Sequence, residues 1–170
     1  MDEFKIIRKY FKKITSNNSS AKNLNDDVFF DKNKKLVVSV DTYNEGVHFP
    51  NFQYPNLVIK KIFRSSISDL ISKGVKPIYY FISGAGSRSK FNKKNLNIIS
   101  KTLKQEQKKY NLKLSGGDTV TSKKISFSIT TIGFSTNIIE RNKARLNDDI
   151  YVTGNIGDGF LGLQLIKKKN

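Results

Sequence analysis

The sequence has no cysteine, and its 170 residues include a single histidine, His48. The absence of cysteine excludes disulfides, thiolate nucleophiles and thiolate-held zinc, and one histidine cannot build an imidazole-based metal centre. Any metal must therefore be held by oxygen. Long apolar runs are also missing: no stretch approaches the ~18 residues of a membrane span, and the first residues, Met1-Asp2-Glu3-Phe4, lack the basic start and apolar run of a secretion signal. These absences lead us to expect a soluble, cytoplasmic protein with no membrane partner.

Acidic residues are few, 14 against 31 Lys and Arg, giving a formal charge of +17. Such a surplus invites a nucleic-acid reading. However, 26 of the basic residues are Lys and only 5 are Arg, and they are spread along the chain. Nucleic-acid grooves favour the bidentate fork of Arg, and no module with interleaved aromatic and basic residues is present. Lys, Asn and Ile together fill 62 positions, a bias of the kind an A- and T-rich genome imposes whatever the function. We expect no nucleic-acid partner, and keep a non-catalytic basic module as the alternative from another class. Of the 14 acids, 10 are Asp, several of them beside Gly, Ser or Thr. Asp is a turn residue, and it is also a hard-oxygen ligand of the kind Mg²⁺ prefers.

Residues 36–49, Leu-Val-Val-Ser-Val-Asp-Thr-Tyr-Asn-Glu-Gly-Val-His-Phe, organise the rest. Their β-branched start predicts a strand over Leu36–Val40 that stops at Asp41-Thr42, delivering a carboxylate to a strand end with Glu45, Gly46 and His48 beyond. Before it, apolar residues at spacings of three and four predict an amphipathic helix over 2–15, packing one face on the domain through Phe4, Ile7, Phe11 and Ile14. Residues 16–23 read as a loop. Asp26-Asp27 then opens a short strand, Val28-Phe29-Phe30, and the polar turn 31–35 suggests an antiparallel hairpin with the next strand. By themselves, Asn25-Asp26-Asp27 are equally ordinary turn chemistry.

A helix is predicted over Asn56–Lys73, with Leu57, Ile59, Ile62, Phe63, Ile67, Leu70 and Ile71 on its buried face and Gly74 as its terminator. Asp69 lies within or beside that apolar face, where an unpaired charge is costly. A strand follows over Val75–Ser83, ending in Gly84-Ala85-Gly86, read as a plain turn in preference to a weak phosphate signal, then a second long helix over 92–110 with a solvated Lys-rich face. A short strand, Leu112–Ser115, leads into Gly116-Gly117-Asp118-Thr119, read either as a turn or as a phosphate cradle followed by a metal ligand. Strict alternation marks a strand over Lys124–Ser135. A further strand over Ile150–Gly154 precedes a helix that is cut off at Lys167–Asn170.

Taken together and in order, Asp26-Asp27, Ser39 to Thr42, Glu45-Gly46-Val47-His48-Phe49, Ser68-Asp69-Leu70 with Gly74, Gly116-Gly117-Asp118-Thr119, Arg141, and Tyr151-Val152-Thr153-Gly154 with Gly157-Asp158 resemble thiamine-monophosphate kinase. Related enzymes sharing the fold and ATP use are aminoimidazole ribonucleotide synthetase, selenophosphate synthetase and a hydrogenase maturation factor, and another ATP-using member of that group is the runner-up reading. The resemblance implies a mixed α/β (α+β) fold of the aminoimidazole ribonucleotide synthetase type, a mixed sheet with long helices on one face, whose chains pair their sheets as a homodimer. It implies transfer of the γ-phosphoryl group of ATP, with Mg²⁺, to thiamine monophosphate. On that resemblance Asp27, Asp41, Asp69 and Asp118 are Mg²⁺ ligands assisted by Ser39 and the Val40 backbone, Gly117, Asp118 and Arg141 contact ATP, and His48 contacts thiamine monophosphate. No covalent catalytic nucleophile is expected.

The chain departs from that pattern at Asn25, Ser66 and Thr121, and at Val40, where a hydroxyl is lost and only a carbonyl remains. The resemblance divides the chain into an ATP- and Mg²⁺-binding domain over 1–140 and the opening of a second domain over 141–170. The second domain is otherwise missing, so we expect a fragment whose activity alone is in question.

Overall fold

The computed structural model describes residues 2–168; Met1, Lys169 and Asn170, the last two closing the sequence's final predicted helix, lie outside the described residues. The chain divides into two units, Met1–Glu140 and Arg141–Asn170.

The first unit is built on a five-stranded sheet of β1 (Phe29–Asp31), β2 (Leu36–Asn44), β3 (Pro77–Gly86), β4 (Lys113–Thr121) and β5 (Ser126–Phe134), in the spatial order β1-β2-β5-β3-β4. All pairings are antiparallel except β3 with β4, which run parallel. A parallel pair needs a long crossover, and the helix α3 (Lys93–Tyr110) supplies it. Period-two patterning gives the sheet two unlike faces. Val37, Ser39 and Tyr43 of β2 and Phe127, Ile129 and Thr131 of β5 are buried, while Val40, Thr42 and Asn44 are exposed.

The buried face is covered chiefly by helix α2 (Pro55–Ser72), which presents Val58, Ile59, Ile62, Phe63, Ile67 and Leu70 to it. Burying each such side chain fully stabilises the fold by about 1.5–3 kcal/mol. Pro55 starts α2, where its missing N–H costs nothing. Gly74, at φ +71°, ends it: its N–H donates to the Ile71 carbonyl and that of Val75 to Leu70, so two terminal carbonyls are satisfied by a left-handed residue. The large apolar cluster joins α2 to Tyr43, Tyr80, Phe127 and Ile129, and a smaller one gathers Val28, Phe30, Val37, Leu70 and Val75.

Several expectations need correction. The strand expected to stop at Asp41 continues to Asn44, because β5 pairs with it along its whole length, so Asp41 sits inside the sheet opposite Ile129. Gly116-Gly117-Asp118 is not a turn but part of β4, with an irregularity beside Tyr80 and Phe81 where Ser115 is the extra residue. The expected single helix over 2–15 is an α-turn α1 (Glu3–Ile6), a π-turn (Ile7–Phe11) and a 3₁₀ turn (Lys12–Thr15). Its Phe4, Phe11 and Ile14 are exposed. The expected loop contains a 3₁₀ segment, Ser19–Leu24. Leu57 and Ile71 of α2 are exposed, since they lie at the margins of the stripe that meets the sheet. In the second unit, residues 150–154 form no strand. That unit holds a 3₁₀ turn, Arg141–Lys143, and helix α4 (Asp158–Lys168). A strand there would need a neighbour to take its backbone hydrogen bonds.

Candidate active site

Strand β2 and helix α2 set the polar site. Ser39 and Asp41 alternate on the same face of β2, the one covered by α2, and Asp69 lies in the last turn of that helix. The Ser39 hydroxyl donates to Asp69 Oδ2 at 2.7 Å. Tyr43, two residues beyond Asp41, donates its hydroxyl to Asp41 Oδ2 at 3.0 Å, and the Tyr43 hydroxyl oxygen also lies 3.0 Å from Ser66 Oγ. Burial raises the Asp69 carboxyl above its ordinary value; the Ser39 hydrogen bond opposes this, and the charges of Asp41 and Asp27 add to it. Tyr43 is also raised, mainly by burial.

The third arm is the segment before β1. Asp26 and Asp27 close on one ammonium: Lys73 Nζ lies 2.6 Å from Asp26 Oδ1 and 3.1 Å from Asp27 Oδ2. An open cavity of about 430 Å³ adjoins Asp27, Ser39 and Val40, with Ile7, Phe11 and Leu24 on its other wall. The N-terminal turns thus flank the acidic group instead of packing on the core.

His48 joins this constellation through Tyr43, whose ring it meets edge-on at 5.5 Å. The backbone N–H of Asn44 donates to His48 Nδ1 at 2.9 Å, and the His48 N–H donates back to the Asn44 carbonyl at 2.9 Å. An accepting Nδ1 fixes the tautomer with the proton on Nε2, which leaves Nε2–H as the donor. Lys61 Nζ donates to the His48 carbonyl, and Glu45 takes Lys90 at 3.4 Å, so both ends of this loop are tied down.

Asp118 and Gly117 lie elsewhere. Asp118 is exposed on β4 and pairs with Ser83, which pairs with Ser128, which pairs with Thr42. It therefore stands three strands from β2, roughly 14 Å by ordinary strand spacing, and its register places it on the face opposite Asp41. Gly117 has a reason of its own to be glycine: a Cβ there would lie 1.8 Å from the Ile82 carbonyl oxygen. Arg141 is exposed in the second unit, at the start of its 3₁₀ turn.

The donor chemistry of Asp27, Ser39, the Val40 carbonyl, Asp41 and Asp69 suits a hard cation such as Mg²⁺. Among the described residues, no three acidic or histidine side chains are already drawn around one point to hold a metal. Mg²⁺ keeps several waters and phosphate oxygens in its shell, so it does not require such a cage. Sequence reasoning missed Lys73 and Tyr43. Nothing in a sequence marks a Lys next to Gly74 as buried, whereas Tyr43, alternating with Asp41, carried a readable signal.

The match to the family described as AIR synthase related protein, N-terminal domain, covers residues 25–135. The chain is 34% identical over 174 residues to a thiamine-monophosphate kinase of Buchnera aphidicola subsp. Schizaphis graminum, covering 99% of this chain and 53% of that protein. It is 30% identical over 169 residues to a thiamine-monophosphate kinase of Methanocaldococcus jannaschii, covering 97% and 53%. The structure of AaThiL complexed with AMPPCP and TMP superposes with a TM-score of 0.86 at 28% identity, over 99% of this chain and 53% of that one. The chain thus spans about half the length of the curated relatives it matches. With its sheet, its acidic group on β2 and α2, and a match over most of its length, the chain belongs to the AIR synthase related protein family, through the N-terminal domain.

Proposed function

We propose that this chain is the nucleotide- and Mg²⁺-handling portion of a thiamine-monophosphate kinase, which transfers the γ-phosphoryl group of ATP to thiamine monophosphate to give thiamine diphosphate. The carrying observation is the joining of Asp69, Ser39, Asp41, Tyr43 and His48 along one helix, one strand and the loop that follows it. Phosphoryl transfer asks for positioning and charge neutralisation more than for a nucleophilic side chain. Mg²⁺, when bound, supplies the neutralisation of phosphate charge. Asp27, Asp41 and Asp69, with Ser39 and the Val40 carbonyl, would hold it. Ser39 orients Asp69, and Tyr43 orients Asp41. His48 offers Nε2–H to the acceptor, the thiamine monophosphate, while Gly117, Asp118 and Arg141 belong to the ATP side.

We further infer a homodimer through the uncovered face of the sheet. Val40, Tyr79, Phe81, Val120 and Phe134 are exposed there, and β4 is an edge strand exposed along its length. Natural sheets seldom leave such an edge and such apolar area unpartnered.

Calorimetry with ATP and Mg²⁺ tests the reading. Nucleotide binding that persists at raised salt and is lost in Asp118→Asn is the expected result. Salt-sensitive RNA binding, indifferent to that substitution and without ATP binding, would overturn it. Among the described residues no helix is long and apolar enough to cross a membrane.

A further inference from the structure

Lys73 is a buried lysine set among carboxylates. Its side chain is 4% exposed, and of its two partners Asp26 is 6% and Asp27 39% exposed. The backbone of Lys73 is pinned on both sides: it caps α2 one residue before the left-handed Gly74, and its carbonyl accepts the Ile139 N–H at 3.0 Å. Below the ion pair lies the smaller apolar cluster of Val28, Leu70 and Val75. Lys73 also follows Asp69 by four residues on α2, the spacing at which an acid and a base share a helix face. The two close contacts with Asp26 and Asp27 give the buried ammonium its partners. Of the four carboxylates Asp26, Asp27, Asp41 and Asp69, the first two thus meet one internal ammonium, while Asp69 and Asp41 are held by the hydroxyls of Ser39 and Tyr43.

We propose that Lys73 is a built-in counter-ion of the acidic group: its ammonium takes the place of one bound cation, fixes Asp27 before any metal arrives, and leaves Asp41 and Asp69 as the charges that a divalent ion answers. Lys73 is a positioning residue in this scheme, acting through Asp27. The inference rests on the Mg²⁺ site proposed above. It predicts that removing the ammonium hands its place to Mg²⁺, whereas a lysine with only a structural role would leave the metal response unchanged.

The test is thermal unfolding of the 170-residue chain against MgCl₂, without nucleotide, for wild type, Lys73→Met and Asp26→Asn. Lys73→Met should have a lower Tm in the absence of divalent ions. It should regain stability as Mg²⁺ is added, with a larger rise than wild type and a half-maximal rise at about tenfold lower Mg²⁺, the scale of one unit charge in a partly wet site. Lys73→Arg should restore the wild-type curve. Asp26→Asn, which keeps the ammonium and removes one carboxylate, should gain less from Mg²⁺ than wild type, and it provides the reading if Lys73→Met does not fold. A wild type that responds to Mg²⁺ while both variants respond equally would overturn the role of Lys73 and spare the metal site. A response in none of the proteins would overturn both.

Discussion

The acidic group beside α2 and the Gly116-Gly117-Asp118 segment of β4 are built from the same kinds of residue and are handled in opposite ways. In the first, each carboxylate is tied into the fold: Asp69 by Ser39, Asp41 by Tyr43, Asp26 and Asp27 by Lys73. In the second, Asp118 is exposed, and its Oδ1 accepts only its neighbour Thr119's backbone N–H at 2.7 Å. The constraint in that segment is steric: Gly117 leaves no room for a Cβ beside the Ile82 carbonyl. The proposed site and the fold's stability would therefore be entangled beside α2 and separable at Asp118.

The largest expected effect comes from breaking the second region sterically. Gly117→Ala puts a methyl group against the Ile82 carbonyl, so β4 must leave its place on β3. We expect a loss of about 3 kcal/mol or more, at or beyond the upper end of the usual range for single substitutions, measured by urea unfolding. A loss below about 0.5 kcal/mol, the range of ordinary surface changes, would show that β3 and β4 adjust freely.

Asp69→Asn sharpens the first region with an effect of opposite sign. Burial and the neighbouring charges raise the Asp69 carboxyl above 3.8. The folded chain then binds that proton more tightly than the unfolded chain does. The resulting penalty is absent below the unfolded value, grows as pH rises through the folded value, and is complete at pH 7. Asp69→Asn should therefore unfold at a higher temperature than wild type at pH 7, with the advantage shrinking as pH falls toward roughly 4. A lower Tm at pH 7 would mean that the ionised carboxylate stabilises the fold.

Asp118→Asn should have the smallest effect on stability, within about 0.5 kcal/mol, because the side chain is exposed and makes only a local contact. Combined with loss of ATP binding, that outcome separates a ligand-facing carboxylate from a structural one. A clear drop in Tm would make Asp118 a carboxylate that holds the fold together.

Much of the first unit follows from local rules that a sequence states openly. Helix α2 was legible from the spacing of Ile59, Ile62, Phe63 and Ile67 and from Gly74, and α3 and β5 from their periods, because a helix or strand with one buried face must repeat its apolar residues at 3.6 or 2. On β2, Asp41 was legible as the carboxylate that follows an apolar run, while Ser39 and the Val40 backbone entered only through the resemblance. Tertiary structure alone decided how far β2 extends, since only pairing with β5 carries it past Asp41. It alone decided that Gly117 faces backbone, that Asp118 stands three strands from Asp41, and that Lys73 turns inward to Asp26 and Asp27. The physical reason is common to all of these: each depends on which groups, distant in the chain, come to share a dry or crowded volume, and neither propensity nor periodicity encodes that neighbour.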